Sequence, residues 1–595
     1  MAISDGPPVT SSRQDPTMMR RFLILLAGLN GLPAIACAQD TNLAGLWHSK
    51  RYFGPEVRGR LEVRQVGPRW QATIGSRVAP VRVYRDSVSF ELPAAADFRG
   101  RIAAGNIVGH WIEPRRRIAM PVTLTTCGTG CYAGHVEPLE DEFTFYMDVT
   151  RRPDGRFGAF LRNPERNQGR FIRLDHLVRR GDTVDFRNSA GSLIQTGLLR
   201  EDKLSVLLRF ATHDFRKVHP DSFTHYYPRG QRGLRYTYAP PTPRNDGWAV
   251  GRAGDAGFSE EALSGMIQRI IDAVADTNGM YRPHAILIAR HGKLVLEEYF
   301  LGEHPDKPHN SRSASKTLLT AVLGAAMHAG MRVSPETPVY ATMGLASPGL
   351  DPRKRAMQLR HLLDMASGLD CDDNLEGSPG AENVVTNQDT LPDWNQLVLG
   401  LNMVRDPGER AVYCSVNPMV GGEVVERAVG RSFVDLTREL VTAPLQFGRY
   451  AITLTPAGDS YMGGGAAFTA RDFLKLAQLH LDGGVWNGRR ILSQAWVRES
   501  VQPRYRIGRT FRQGPSGPVE TSTNNYGYLW WTTEFEYKDR RVTAHHMSGN
   551  GGQYSLFIPD LGLAIATYGG NYNDPSGFYA LRELIPRQIL PAIIR

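Results

Sequence analysis

Five cysteines in 595 residues are too few for a scaffold built on disulfides. No cluster of His, Cys, Asp and Glu carries the spacing of a metal site. Asp370, Asp372, Asp373 and Asn374 lack the order of a calcium loop and read as a solvated turn. No metal and no cofactor are expected. No long lysine/arginine run and no basic repeat occurs. The formal charge of +10 comes mostly from arginines standing singly among acids, which offers nucleic acid no footing. No apolar run is long enough to cross a bilayer, and no repeat marks a propeller. Glycine and proline, 61 and 38 residues, are too ordinary for wholesale disorder. What remains is a globular chain too long for one core, so two or three domains are expected.

Near the start, Met19-Arg20-Arg21 followed by Phe22 to Leu32 has the charged and apolar regions of a secretory signal, with small residues at Ala34-Ile35-Ala36-Cys37-Ala38. The first 17 residues are polar and contain proline, which points to a start at Met18 or Met19. Residues 1–38 are expected to be the signal, with cleavage after Ala38 releasing a soluble chain from Gln39. A lipid anchor on Cys37 is the alternative, against which Ala34 stands where leucine is preferred. Either way the expected location is periplasmic or secreted.

Residues 39–235 alternate short apolar runs with Gly, Pro, Asp and Asn. Gly59–Val66, Trp70–Ile74, Val81–Tyr84, Ser87–Leu92, Phe143–Val149, Phe157–Leu161, Phe171–Leu174 and Leu204–Phe210 read as strands, with Gly105–Trp111 and Gly191–Leu199 as further ones. This predicts an all-β domain, barrel or sandwich, with no catalytic set of its own. Residues 236–257 are rich in Pro, Gly and Asp and read as a linker. Ser259-Glu260-Glu261 then opens a helix to about Ala275, starting a second domain over 258–595.

That second domain holds the chemistry. Ser313-Ala314-Ser315-Lys316 opens a helical stretch to Gly330. A serine one turn before a lysine has its hydroxyl beside the amine, and the amine can act as base once its pKa falls. Downstream come Tyr413-Cys414-Ser415 with Asn417, then His545-His546-Met547-Ser548-Gly549-Asn550 ahead of an apolar strand, Tyr554–Ile558. The order S-x-x-K, Y-x-[SN], [ST]-G resembles the serine β-lactamase and penicillin-binding-protein superfamily. It is most similar to the branch of esterases and aminohexanoate-oligomer hydrolases. The resemblance covers roughly Asp246 to Arg595 and takes in the His284–Phe300 hairpin, Leu359–Leu369, Gly463–Asp472, Gly483–Gly488 and Tyr526–Trp531.

The resemblance implies an α/β (α+β) fold: an antiparallel sheet flanked by helices, with a helical insert that leaves the site in a cleft. It implies Ser313 as nucleophile, Lys316 and Tyr413 as proton relay, and the backbone N–H groups of Ser313 and Asn550 as oxyanion donors, the latter on an edge strand. Ser415, Asn417, His545, Ser548 and Gly549 are cleft candidates, and Trp394, Tyr528, Trp530 and Trp531 candidate walls. Asn417 shares a face with Tyr413 only if the segment is extended. One departure matters: Met547 stands where β-lactamases carry lysine, so the cation that anchors a substrate carboxylate is missing. His545 supplies charge there in one reading and is a half-exposed strand residue in the other. Esters or small amides without an adjacent carboxylate are therefore the expected substrates. The alternatives are a penicillin-interacting D,D-peptidase or β-lactamase, and a non-catalytic binding protein.

With Cys37 set aside, four cysteines remain. Cys127 and Cys131 flank a Gly-Thr-Gly turn, close enough to pair. A Cys371–Cys414 bridge would stiffen Tyr413. Free buried thiols are the equal alternative, and oligomeric state has no signature.

Overall fold

The computed structural model describes residues 43–139, 141–163, 172–208, 211–219, 221–273, 282–388, 390–514 and 517–595. The expected signal segment 1–38, with Met18, Met19 and Cys37, lies outside the described residues. The chain divides into two compact units.

The first unit draws on Met1–Ser49, Tyr146–Leu161 and Ile172–Pro220. Its strands close a barrel in the ring order Gly45–Gly54, Asp141–Arg151, Phe157–Arg162, Ile172–Arg180, Thr183–Arg187, Leu193–Arg200, Lys203–Leu208 and Ala211–Lys217. The last strand pairs back onto the first through Trp47↔Lys217 and His48↔Arg216. Alternation makes the interior: Val184, Phe186, Leu204, Val206 and Phe215 are buried, while Lys203 and Ser205 between them are not.

The second unit, Lys50–Phe145, Arg162–Phe171 and Asp221–Arg595, contains another closed barrel. Its eight strands run as a meander from Gly59–Val66 to Cys131–Val136. The last of them pairs with both Ile118–Gly128 and Gly59–Val66, which shuts the ring. Leu61 and Val63 point inward with Phe90, Phe98 and Trp111, and Arg60 and Arg64 point out. The alternation that fitted barrel or sandwich therefore builds two barrels, one inserted in the sequence of the other. The ring of the first unit takes strand Gly45–Gly54 from before the insertion and the rest from after it.

The remainder of this unit is built on a nine-stranded sheet in the order Ala249–Val250, Lys293–Tyr299, Pro283–Arg290, Leu563–Gly569, Gln553–Ile558, Arg540–Gly549, Trp530–Tyr537, Gly517–Gly527 and Tyr505–Gly514. All pairings are antiparallel except that of Ala249–Val250. Both faces are covered, so the central strands are apolar throughout. Leu287 and Ala289 join the core under helices Thr317–His328, Val416–Val429 and Ala470–Leu481, and Ile286 and Ile288 join the core under Glu260–Ile271. Helix Glu260–Ile271 starts where Ser259 Oγ caps the Ala262 N–H, and it buries Leu263, Met266, Ile267 and Ile271 on one stripe. Short helices Val339–Thr342, Pro352–Ala356, Leu359–Leu363, Glu382–Asn387 and Trp394–Gly400 fill the stretch between Ser313 and Tyr413.

A second sheet runs from the barrel to the turn that carries Ser313. Barrel strand Ile118–Gly128 pairs with Tyr450–Thr453 through Ala119↔Ile452 and Ile118↔Thr453. Tyr450–Thr453 pairs with Ala467–Phe468, and that pairs with His309–Asn310, three residues before Ser313. The Arg101–Glu439 ion pair and a 3.2 Å contact between His110 Nδ1 and Asp435 flank the junction.

Candidate active site

Ser313 and Lys316 sit on a single 3₁₀ turn, Arg312–Lys316, and the α-helix begins only at Thr317. The sequence spacing placed them at a helix start. A 3₁₀ turn, with three residues per turn, brings i and i+3 more directly into line. Lys316 Nζ lies 2.9 Å from Ser313 Oγ in a hydrogen bond, and Lys316 is 2% exposed. Arg312 enters the turn in the left-handed region, φ +53°, a conformation that costs a non-glycine residue on the order of 1–3 kcal/mol. Hydrogen bonds offset that cost. The Arg312 carbonyl accepts from Gly465 N–H at 3.1 Å and Ser315 Oγ at 2.9 Å. Ala466 N–H donates to Ser315 Oγ at 3.2 Å, and Ser311 donates to the Ala466 carbonyl from both N–H and Oγ.

Tyr413 reaches the same place from the start of helix Val416–Val429. Its ring stacks on Trp531 at 5.8 Å between centroids, and Lys316 Nζ stands 5.1 Å from its ring centroid. Cys414 is bonded to Cys371, and Cys127 to Cys131. Ser415 is buried at the helix N-cap. Asn417 lies in the first turn of that helix, so the extended geometry that would align it with Tyr413 is not adopted.

Strand Arg540–Gly549 is internal to the nine-stranded sheet, not an edge. Its register with Trp530–Tyr537 ends at Trp531↔His546, while on the other side pairing continues through Gly549↔Gln553. The Met547–Gly549 end therefore outruns one neighbour and passes the nucleophile turn there. Ser548 is 4% exposed. Asn550 follows; its side chain exchanges hydrogen bonds with Asn573, at 2.6 and 2.9 Å. Met547 is part of the apolar core. His545 Nδ1 lies 3.2 Å from Thr532 Oγ1 and the ring packs on Phe557, and burial pushes its pKa down to about 4. A neutral imidazole at that place supplies no cation.

Three acid-site residues escaped the sequence reading. Asp373, assigned to a solvated turn, is half-buried with its carboxylate held between two N–H groups: Oδ2 accepts from Ser415 N–H and Oδ1 from Glu382 N–H, both at 2.8 Å. Desolvation first, then the charge of Glu382, push its pKa up to about 6; Ser415 and the Lys316 charge oppose the rise. Glu382 accepts a short hydrogen bond from Tyr461. Burial, and then Glu382, Asp373 and Tyr413, hold the Tyr461 phenol well above its ordinary value. Tyr461 meets Trp394 edge-on, and the Arg117 guanidinium of the barrel lies 5.1 Å over Trp394. The signal for these was an unexplained acid run, Asp370 to Asp373, beside a cysteine.

The Beta-lactamase family pattern matches residues 267–578, more than half of the chain. A 6-aminohexanoate-dimer hydrolase from Paenarthrobacter ureafaciens is 30% identical over 260 residues, 42% of this chain and 64% of that protein. The match thus spans less than two thirds of that relative's length. A solved penicillin-binding-protein homologue from Caulobacter crescentus is 16% identical, covering 53% of this chain and 95% of its own, with a TM-score of 0.40. A solved β-lactamase from Mycobacterium bovis is 17% identical, covering 56% and 100%, with a TM-score of 0.38. By the extent of the family match, the chain belongs to the β-lactamase family of serine hydrolases.

Proposed function

We propose that the chain is an exported serine hydrolase that cleaves carboxylic esters or small amides through an acyl-enzyme on Ser313. The observation that carries this reading is the 2.9 Å contact between Lys316 Nζ and Ser313 Oγ, with Tyr413 beside the amine. Lys316 takes the Ser313 proton as Oγ attacks the carbonyl carbon. The backbone N–H groups of Ser313 and Asn550 receive the oxyanion. One such donor is worth about 10²–10³ in rate. Collapse breaks the bond to the leaving alcohol or amine, which takes its proton from Lys316 through Tyr413. Water then attacks the acyl carbon, yields a proton to the same relay, and releases the carboxylic acid with Ser313 restored.

Substrate class follows from what the third motif offers. Buried Met547 and neutral His545 leave that strand without a cation for a carboxylate beside the scissile bond. This favours esters and small amides over β-lactams and D,D-peptides. Similarity to an aminohexanoate-dimer hydrolase supports the amide side. Two disulfides, with the signal-like segment, support a periplasmic or secreted location.

Turnover of p-nitrophenyl esters and of nitrocefin by the protein, beside Ser313→Ala, tests the reading. Ester cleavage that disappears in the variant, with little nitrocefin cleavage, is expected. Fast nitrocefin turnover would restore the β-lactam branch, and equal activity in the variant would remove Ser313 from the chemistry.

A further inference from the structure

Cys371–Asp373 and Tyr413–Ser415 are tied at three points. Cys371 and Cys414 share a disulfide. Asp373 N–H donates to the Tyr413 carbonyl at 2.9 Å, and Ser415 N–H donates to Asp373 Oδ2 at 2.8 Å. Asp373 thus bonds both ends of Tyr413–Ser415, reaching Ser415 across a separation of 42 residues. The held segment carries Tyr413, whose ring rests between Trp531 and Lys316.

The carboxylate is the telling member of this clip. Two N–H groups, from Ser415 and Glu382, converge on its two oxygens. An asparagine would turn an NH₂ toward one of them, donor against donor. The charge is also kept where it is expensive, desolvated and beside Glu382, with the Lys316 amine as the favourable neighbour. An acid retained at such cost within reach of a nucleophile's base is a functional candidate on physical grounds.

Resting on the assignment of Tyr413 as proton relay, we propose that Asp373 is a positioning residue for Tyr413. It holds the Tyr413–Ser415 turn so that the Tyr413 ring stays beside Lys316. The Cys371–Cys414 bridge is the second anchor of the same clip.

A double-mutant cycle separates this from ordinary structural support. Ester turnover and fluorophosphonate labelling of Ser313 are measured for the full chain, for Asp373→Asn, Tyr413→Phe and the double variant. The expected result is a loss of at least about tenfold in kcat for Asp373→Asn, with KM within about threefold and no further loss when it is added to Tyr413→Phe. Losses that multiply, or an unchanged kcat in Asp373→Asn, would overturn the proposal. If Asp373→Asn does not fold, Cys371→Ser with Cys414→Ser carries the same cycle, judged by the same outcomes. Labelling that persists in Ser313→Ala would sink the assignment of the site itself, and the clip's role with it. Labelling confined to Ser313 beside multiplying losses sinks the clip alone.

Discussion

Gly549 runs so close to Ser311 that a methyl group on Gly549 would stand 2.3 Å from the Ser311 carbonyl oxygen. The obstacle is backbone, so it cannot rotate away, and Arg312 Cβ would lie at 3.1 Å. Gly549→Val should therefore push the strand end off the nucleophile turn and carry the Asn550 N–H with it. We predict a loss of about 10²-fold or more in kcat from the displaced oxyanion donor, and a cost of roughly 1–3 kcal/mol in stability from overpacking. Steady-state kinetics and a denaturant titration check both parts.

Lys316 lies against the Ser313 hydroxyl and the Tyr413 ring, with little solvent. Lys316→Met keeps length and removes the base. The expected loss in kcat is about 10²–10⁴-fold with KM little changed, since the amine acts on a proton in flight and not on the bound ester. A loss expressed in KM would assign Lys316 to binding.

Asp373 predicts an acid limb. Its pKa is raised from the ordinary 3.8 to about 6, so the carboxylate is charged above that value and gains a proton as pH falls through it. The groups that bear on it are Glu382 and Lys316, which enter its own balance, and Tyr461 and Ser415 from the facing segments. Protonation turns one acceptor oxygen into a donor opposite an N–H. Activity should therefore fall as pH drops through about 6, and Asp373→Asn should flatten that limb. A profile with the same limb in both proteins would assign it elsewhere.

The barrel of the second unit is joined by continuous strand pairing to the segment just before Ser313, Ile118–Gly128 to Tyr450–Thr453 to Ala467–Phe468 to His309–Asn310. Ile452→Pro breaks the middle of this path. The expected cost is on the order of 3 kcal/mol, with kcat reduced in the fraction that remains folded. Wild-type kcat in a destabilised variant would make the barrel a bystander to the site.

Much of this was legible in the residues. Ser313, Lys316 and Tyr413, the residues proposed for the chemistry, stand out by their motif order, and the structure brings them together; Ser259 with two following acids marks its helix start by local capping alone. Leu61 and Val63 set against Arg60 and Arg64 disclose a strand two residues at a time. What stayed hidden depends on distant partners. Asp373 looks like any turn acid until Ser415, 42 residues on, donates to it. The ring of the first unit is invisible as one object because its strand Gly45–Gly54 is separated from its mates by a whole second barrel. The interior place of strand Arg540–Gly549 depends on Trp530–Tyr537 and the two earlier strands beyond it in the sheet, and the [ST]-G motif says nothing about them.

The central claim is a covalent intermediate on Ser313. Acid-quenched reaction with a slowly deacylated phenyl ester, followed by intact mass and peptide mapping, tests it most directly. The account predicts one acyl group per chain, on the peptide containing Ser313, and none in Ser313→Ala. An adduct on another residue, or turnover with no adduct and an unimpaired Ser313→Ala, would contradict it.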